Sequence, residues 1–112
     1  LSGHFEGAWP RAMKHREVRL TERAIQDIEN AAKFYDQIEY GLGAYFFDSI
    51  IADIESLEFF GGLHQRRFGY YASPAKRFPF VIYYEINEQF VDVIAALDTR
   101  ANPANLEHRL NR

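Results

Sequence analysis

The sequence predicts a single α+β domain: a short N-terminal strand, an antiparallel two-helix hairpin, a three-stranded antiparallel meander and a short C-terminal helix. Three observations predict it. Two amphipathic stretches with apolar residues three and four apart follow each other across residues 22–59, joined by Gly41-Leu42-Gly43. Three stretches rich in aromatic and β-branched residues, separated by turn residues, fill residues 66–98. The chain has 112 residues, 47% apolar and 26% charged, which suits one globular domain and neither two domains nor a disordered polymer.

The elements follow in order. Leu1 to Ala12 has no periodicity and Met13 is the only methionine, so Met13 is expected to be the natural start, residues 1–12 added sequence, and residues 13–112 the domain. Val18 and Leu20 alternate with charged neighbours, as in a half-buried strand. Thr21 stands where a helix N-cap belongs, with Glu22 favouring the positive end of the helix dipole. The first helix is expected over residues 22–40, its apolar face formed by Ala24, Ile25, Ile28, Ala31, Ala32, Tyr35 and Ile38, and Gly41 is expected to end it in the left-handed region. The second is expected over residues 44–59, with Phe46, Phe47, Ile50, Ile51, Ile54 and Leu57 apolar and Asp48, Asp53, Glu55 and Glu58 on its wet side, until Gly61-Gly62 stops it. So short a link forces an antiparallel hairpin.

Strands are expected over residues 66–72, 78–86 and 90–98, with Pro79 at the start of the middle one. Val91, Val93, Ala95 and Leu97 are assigned to the core face, and Tyr83 and Tyr84 to opposite faces. One sheet face should carry the helices and the other stay partly open. Residues 104–110 are expected to form the last helix.

Several function classes are excluded or weakened at once. With no cysteine there are no disulfides, thiolate metal sites or cysteine nucleophiles, which suits a reducing cytoplasm. No apolar run approaches the roughly 20 residues that span a bilayer, so no membrane partner is expected. His4, His15, His64 and His108 show no ligand spacing, and there is no glycine-rich phosphate loop; neither metal nor cofactor is expected. The net charge of −3 is unevenly spread: residues 21–60 carry nine acids and two bases, a balance of −7, whereas residues 61–80 carry four bases, no acid and His64.

A family resemblance rests on motifs taken in order: Leu20-Thr21 with Ala24, Asp27 and Ile28; Tyr35; Gly41-Leu42-Gly43; Phe46 and Phe47; Ile50, Ile54 and Leu57; Arg77-Phe78-Pro79-Phe80 with Ile82-Tyr83-Tyr84; and Thr99-Arg100 with Pro103. Over residues 18–103 this pattern resembles the RelE/ParE toxin superfamily. The Arg77 strand is similar to the RFPYxIxY strand of ParE-like members, and the ending to an hxRRxP tail. Asp98 stands where the tail usually has histidine, and Ala101 where it has a second arginine. The resemblance implies the toxin of a type II, plasmid-stabilisation-type toxin–antitoxin pair. ParE-like members inhibit DNA gyrase by binding, RelE-like members cut mRNA on the ribosome with a metal-free site of Lys, Arg and Tyr, and a decayed relative would be an inactive interaction module.

Charge chooses among these. Proteins that dock on nucleic acid are usually basic, with pI above about 9; this chain has a pI near 5.8. The expectation is therefore a ParE-like binding poison, with RelE-like ribosome-dependent endoribonuclease activity and the inactive module as alternatives. Target contacts are expected at Arg66, Arg67, Lys76, Arg77, Tyr83 and Arg100. A cognate antitoxin is expected in a groove lined by Tyr45, Phe46, Phe59 and Phe60, with core packing the first expectation for Phe46. The free toxin is a candidate homodimer.

Overall fold

The computed structural model describes residues 15–111; the N-terminal stretch that the sequence sets apart, residues 1–12, lies outside the described residues. Strand β1 (Glu17–Leu20) leads into helix α1 (Glu22–Ile38) through Thr21, whose Oγ1 accepts the Ala24 N–H at 3.1 Å, as an N-cap does. Helix α2 (Leu42–Glu55) follows, then the single turn α3 (Leu57–Phe60). The strands are β2 (Gln65–Arg67), β3 (Tyr70–Pro74), β4 (Phe80–Ile86) and β5 (Phe90–Asp98), and helix α4 (Pro103–Leu110) ends the chain. The protein is α+β, and its sheet runs β1-β5-β4-β3-β2, antiparallel except for the parallel β1–β5 pair. Among the described residues no helix is long and apolar enough to cross a membrane.

The glycine link works differently from the expected helix stop. Helix α1 ends at Glu39, and Gly41 instead caps the start of α2 with φ at +89°. The Asp36 carboxylate accepts the N–H groups of both Gly41 (2.9 Å) and Gly43 (3.2 Å), closing the turn. Gly43 lies inside α2, where the helices cross so closely that a Cβ would sit 2.3 Å from the Ala32 carbonyl oxygen.

The hairpin packs on one sheet face through Ala24, Ile28, Tyr35, Phe46, Ile50, Ile54 and Leu57, against Ile82, Tyr84, Val91 and Val93. Rings fill the wide end: Phe46 lies 5.1 Å from Tyr35 and 5.0 Å from Phe80. Asp53 is buried rather than on the wet side, because its Oδ2 accepts the Lys76 N–H at 3.0 Å and anchors the β3–β4 loop.

Two further readings of the strands are corrected. The stretch expected as one strand over residues 66–72 is a hairpin, turning at Phe68 (φ +56°) and Gly69 (φ +85°) between the paired residues Arg67 and Tyr70. Two successive positive φ values are the signature of a tight turn that matches strand twist. In β5, Tyr83 pairs with Ala95 and Tyr84 with Val93, so Ile94 is an extra residue, a bulge. The bulge reverses the alternation: Val91 and Val93 face the hairpin, but so does Ala96, while Ala95 and Leu97 join the opposite face. That second face is covered in part. Leu110 of α4 closes over Tyr70, Ala72, Val81, Tyr83 and Ala95 as a smaller core.

Helix α4 is held by an ion pair as well. Arg109 Nη2 donates to Asp27 Oδ2 at 2.7 Å, and the same oxygen accepts the Ala96 N–H at 3.1 Å, just beyond the bulge. Desolvation raises the Asp27 pKa and outweighs the opposing pull of Ala96 and Arg109.

Candidate functional site

The sheet register disperses the basic residues that the sequence places close together. Arg66 and Arg67 belong to edge strand β2, at the Tyr70 end of β3; Lys76 and Arg77 lie in the loop after Pro74. The two pairs are separated by the length of β3, about 13 Å at roughly 3.3 Å per residue. Strand alternation divides the first pair further. Arg66 sits over the Tyr71 ring, 4.7 Å from its centroid, and Tyr71 packs towards the hairpin face. Arg67 lies 5.4 Å from the Phe68 ring, and Phe68 packs against the second core.

The other end of the sheet does gather charge. Phe80 pairs with Asp98 and the Thr99 N–H donates to the Pro79 carbonyl at 2.8 Å, so the loop with Lys76 and Arg77 lies beside Arg100. Arg77 and Lys76 are exposed. Arg100 is not a free cation. Its backbone N–H, Nε and Nη2 all donate to the Asp98 carboxylate, at 2.7, 3.0 and 2.7 Å. These hydrogen bonds hold the Asp98 carboxyl below the usual carboxylate range and push the Arg100 guanidinium further towards its charged form.

Tyr83 is 1% exposed, packed in the second core beneath Leu110, and burial pushes its phenol pKa up. In this conformation its side chain belongs to packing rather than to a surface. Tyr84, on the opposite face as expected, is also buried, and desolvation pushes it up to about 12.

One constellation was missed by sequence reasoning. The Tyr84 hydroxyl accepts the Gly62 N–H at 2.9 Å and lies 2.5 Å from His64 Nδ1; His64 Nε2 lies 3.2 Å from Ser73 Oγ. Tyr84, His64 and Ser73 thus form one hydrogen-bonded chain, in which a neutral imidazole donates through one ring nitrogen and accepts through the other. Burial lowers the His64 pKa, consistent with that state. Its partners are nine and twenty residues away in sequence, so no local spacing signals the group. Among the described residues no three His, Asp or Glu side chains converge as metal ligands do.

The four aromatic groove candidates do not line one groove. Phe46 is fully buried in the core, which corrects its place among them. Tyr45 is exposed at the start of α2 and contacts Phe78 at 5.6 Å. Phe59 and Phe60 are exposed on α3, at the other end of the hairpin, with Phe59 against His15 at 5.2 Å. The outward groove between α1 and α2 is a separate feature, with Tyr40 and Phe47 on its flanks.

No family model matches the sequence, and no curated protein does. Among solved structures, a chain of a "Chromosomal ParDE TA system from P. aeruginosa" shares the fold: TM-score 0.66, 11% identity, over 73% of this chain and 94% of that one.

Proposed function

We propose that this protein is the toxin component of a toxin–antitoxin pair, a ParE-like poison that acts by binding, with DNA gyrase as the target and a cognate antitoxin as the neutralising partner. The observation that supports it most is the fold, which spans nearly the whole of a chain from a ParDE system. The side chains favour binding over cleavage. A metal-free nuclease needs several cations and a phenol converging on one phosphate. In this chain Tyr83 is buried, Arg100 is occupied by Asp98, and Arg66 and Arg67 stand at the opposite end of β3 from Lys76 and Arg77.

The working face in this reading is the end of the sheet where Arg77, Lys76 and Arg100 meet. Asp98 fixes the Arg100 guanidinium in one orientation, which suits a shape-specific protein contact better than a mobile phosphate clamp. Induced expression in a bacterial host tests the proposal. Filamentation with DNA damage is expected, and the Arg77→Ala/Arg100→Ala double variant should lose growth inhibition while keeping its thermal midpoint. Full toxicity of that variant would refute the face. Translation arrest with cut mRNA would refute the mode of action, and no growth effect at all would refute the toxin reading.

A further inference from the structure

We infer that the sheet end around Arg100 takes an acidic protein segment: one carboxylate sits on the outer edge of the Arg100 guanidinium, a large apolar side chain packs on the rings beside it, and Asp98 positions Arg100 for the contact. This rests on the proposed reading in using the same face, and it deepens it by naming the chemistry that the face takes.

The geometry of one guanidinium carries the inference. Arg100 Nε and Nη2 donate to the two oxygens of Asp98 at 3.0 and 2.7 Å, a side-on pair that uses one flank of the planar fork. The outer edge, Nη1 with the second N–H of Nη2, is not engaged by Asp98 and fits a further carboxylate in bidentate fashion. The Arg100 side chain is 64% exposed, so that edge can be reached although the charge is paired. A free surface arginine loses rotamer freedom when it binds; this one is already held.

The guanidinium stands beside an apolar surface whose burial is unfinished. The Tyr35 side chain also reaches Arg100. From Tyr35 a chain of rings leads outwards, to Phe34 at 5.5 Å on one side, and to Phe78 at 4.9 Å and then Tyr45 at a further 5.6 Å on the other. Phe34 is 54% and Tyr45 50% exposed, and Ile38, one turn along α1 from Phe34, is 62% exposed. Exposed rings next to a fixed arginine are the composition of a binding hot spot.

Charge selects the occupant. Asp98 cancels Arg100, and the exposed Lys76 and Arg77 leave this face cationic on a molecule of net charge −3. An acidic segment with an apolar anchor complements both the charge and the rings. A nucleic acid fits less well, because its phosphates repeat along the strand and the ionised Asp98 repels the next one.

The test uses the purified full chain and three labelled peptides of equal length, read by fluorescence anisotropy. One alternates Glu and Asp with Phe and Leu; the second has Gln and Asn in place of the acids; the third keeps the acids and has Ser in place of Phe and Leu. The first should bind about tenfold more tightly than the second and about fivefold more tightly than the third. Arg100→Lys keeps the charge but not the fork, and should weaken the first peptide about tenfold. Asp98 gives the deciding sign. Asp98→Ala makes the face more positive, so plain attraction would tighten the acidic peptide, whereas loss of positioning should weaken it about fivefold. Asp98→Asn, which keeps the shape, should also weaken it, and Asp98→Glu should recover part of the loss. Tighter binding by Asp98→Ala and Asp98→Asn, equal affinity for the acid and amide peptides, or no loss with Arg100→Lys would overturn the inference. So would a single-stranded RNA bound more tightly than the first peptide. Growth arrest is a separate result: a chain with the peptide preference that arrests no growth overturns the toxin reading alone, and one that arrests growth without the preference overturns this inference alone.

Discussion

His64 shows how one residue acquires a role from its surroundings. Its ring is held between the Tyr84 hydroxyl and Ser73 Oγ, and burial lowers its pKa. The unfolded chain takes up a proton near the ordinary value of about 6.5, whereas the folded one resists it. A depressed histidine therefore contributes stability above pH 6.5, and that contribution is lost as pH falls through the folded value. His64→Gln keeps a donor and an acceptor but cannot titrate. It should cost about 1 kcal/mol at pH 7.5 through poorer hydrogen-bond geometry. The gap to wild type in urea midpoint should narrow between pH 7 and pH 5. A gap that stays constant would mean that His64 is not held neutral by its burial.

At the scale of elements, the two glycines of the hairpin link make separable contributions. Gly41 has φ at +89°, and a Cβ there would meet nothing within 4 Å, so Gly41→Ala incurs only backbone strain, about 1 kcal/mol. Gly43→Ala gains helix propensity but drives a methyl group onto the Ala32 carbonyl, which forces α1 and α2 apart and should cost about 2 kcal/mol or more. Chemical denaturation of the two variants distinguishes the mechanisms; a Gly43→Ala protein as stable as wild type would show that the close crossing is not required. Both glycines were visible in the sequence as a link, because Gly-Leu-Gly between two periodic stretches has few other readings. The distinction between a turn and a close approach was not visible, since it depends on which residue of α1 lies opposite. The same holds for Ile94. Residues 93–97 are an unbroken apolar run that marks no change of face, and only pairing with β4 shows that one residue is surplus and that Ala96, not Ala95, faces the hairpin. Gly69 was the sole cue to the β2–β3 turn, and its neighbour Phe68 is an unusual residue for a positive φ. The candidate site was legible as residue types, not as an arrangement, because Tyr83 is buried by α4, an element remote from it in sequence.

The charge of the whole molecule bears on whether it can act on nucleic acid. The chain carries a net charge of −3, and its four bases in residues 61–80 are split between the two ends of β3 and, at Arg66 and Arg67, between two faces. Only Lys76 and Arg77 share an end with Arg100, whose charge is already paired with Asp98. Polyanion binding gains by releasing counterions, roughly one for each phosphate neutralised, so its strength depends on how many cations face one backbone. Two or three exposed cations on an acidic molecule fall well short of that. A fluorescent 20-nucleotide single-stranded RNA is therefore expected to bind more weakly than about 100 μM at 150 mM salt, with a log–log salt slope no steeper than two contacts would give. Lys76→Ala/Arg77→Ala should remove what binding remains. Micromolar affinity with a slope corresponding to four or more phosphates would mean that Arg66 and Arg67 act together with the far end of the sheet on one strand. It would put the nuclease reading ahead of the binding poison, because the dispersal of those cations over opposite ends and faces is what argues for a protein target.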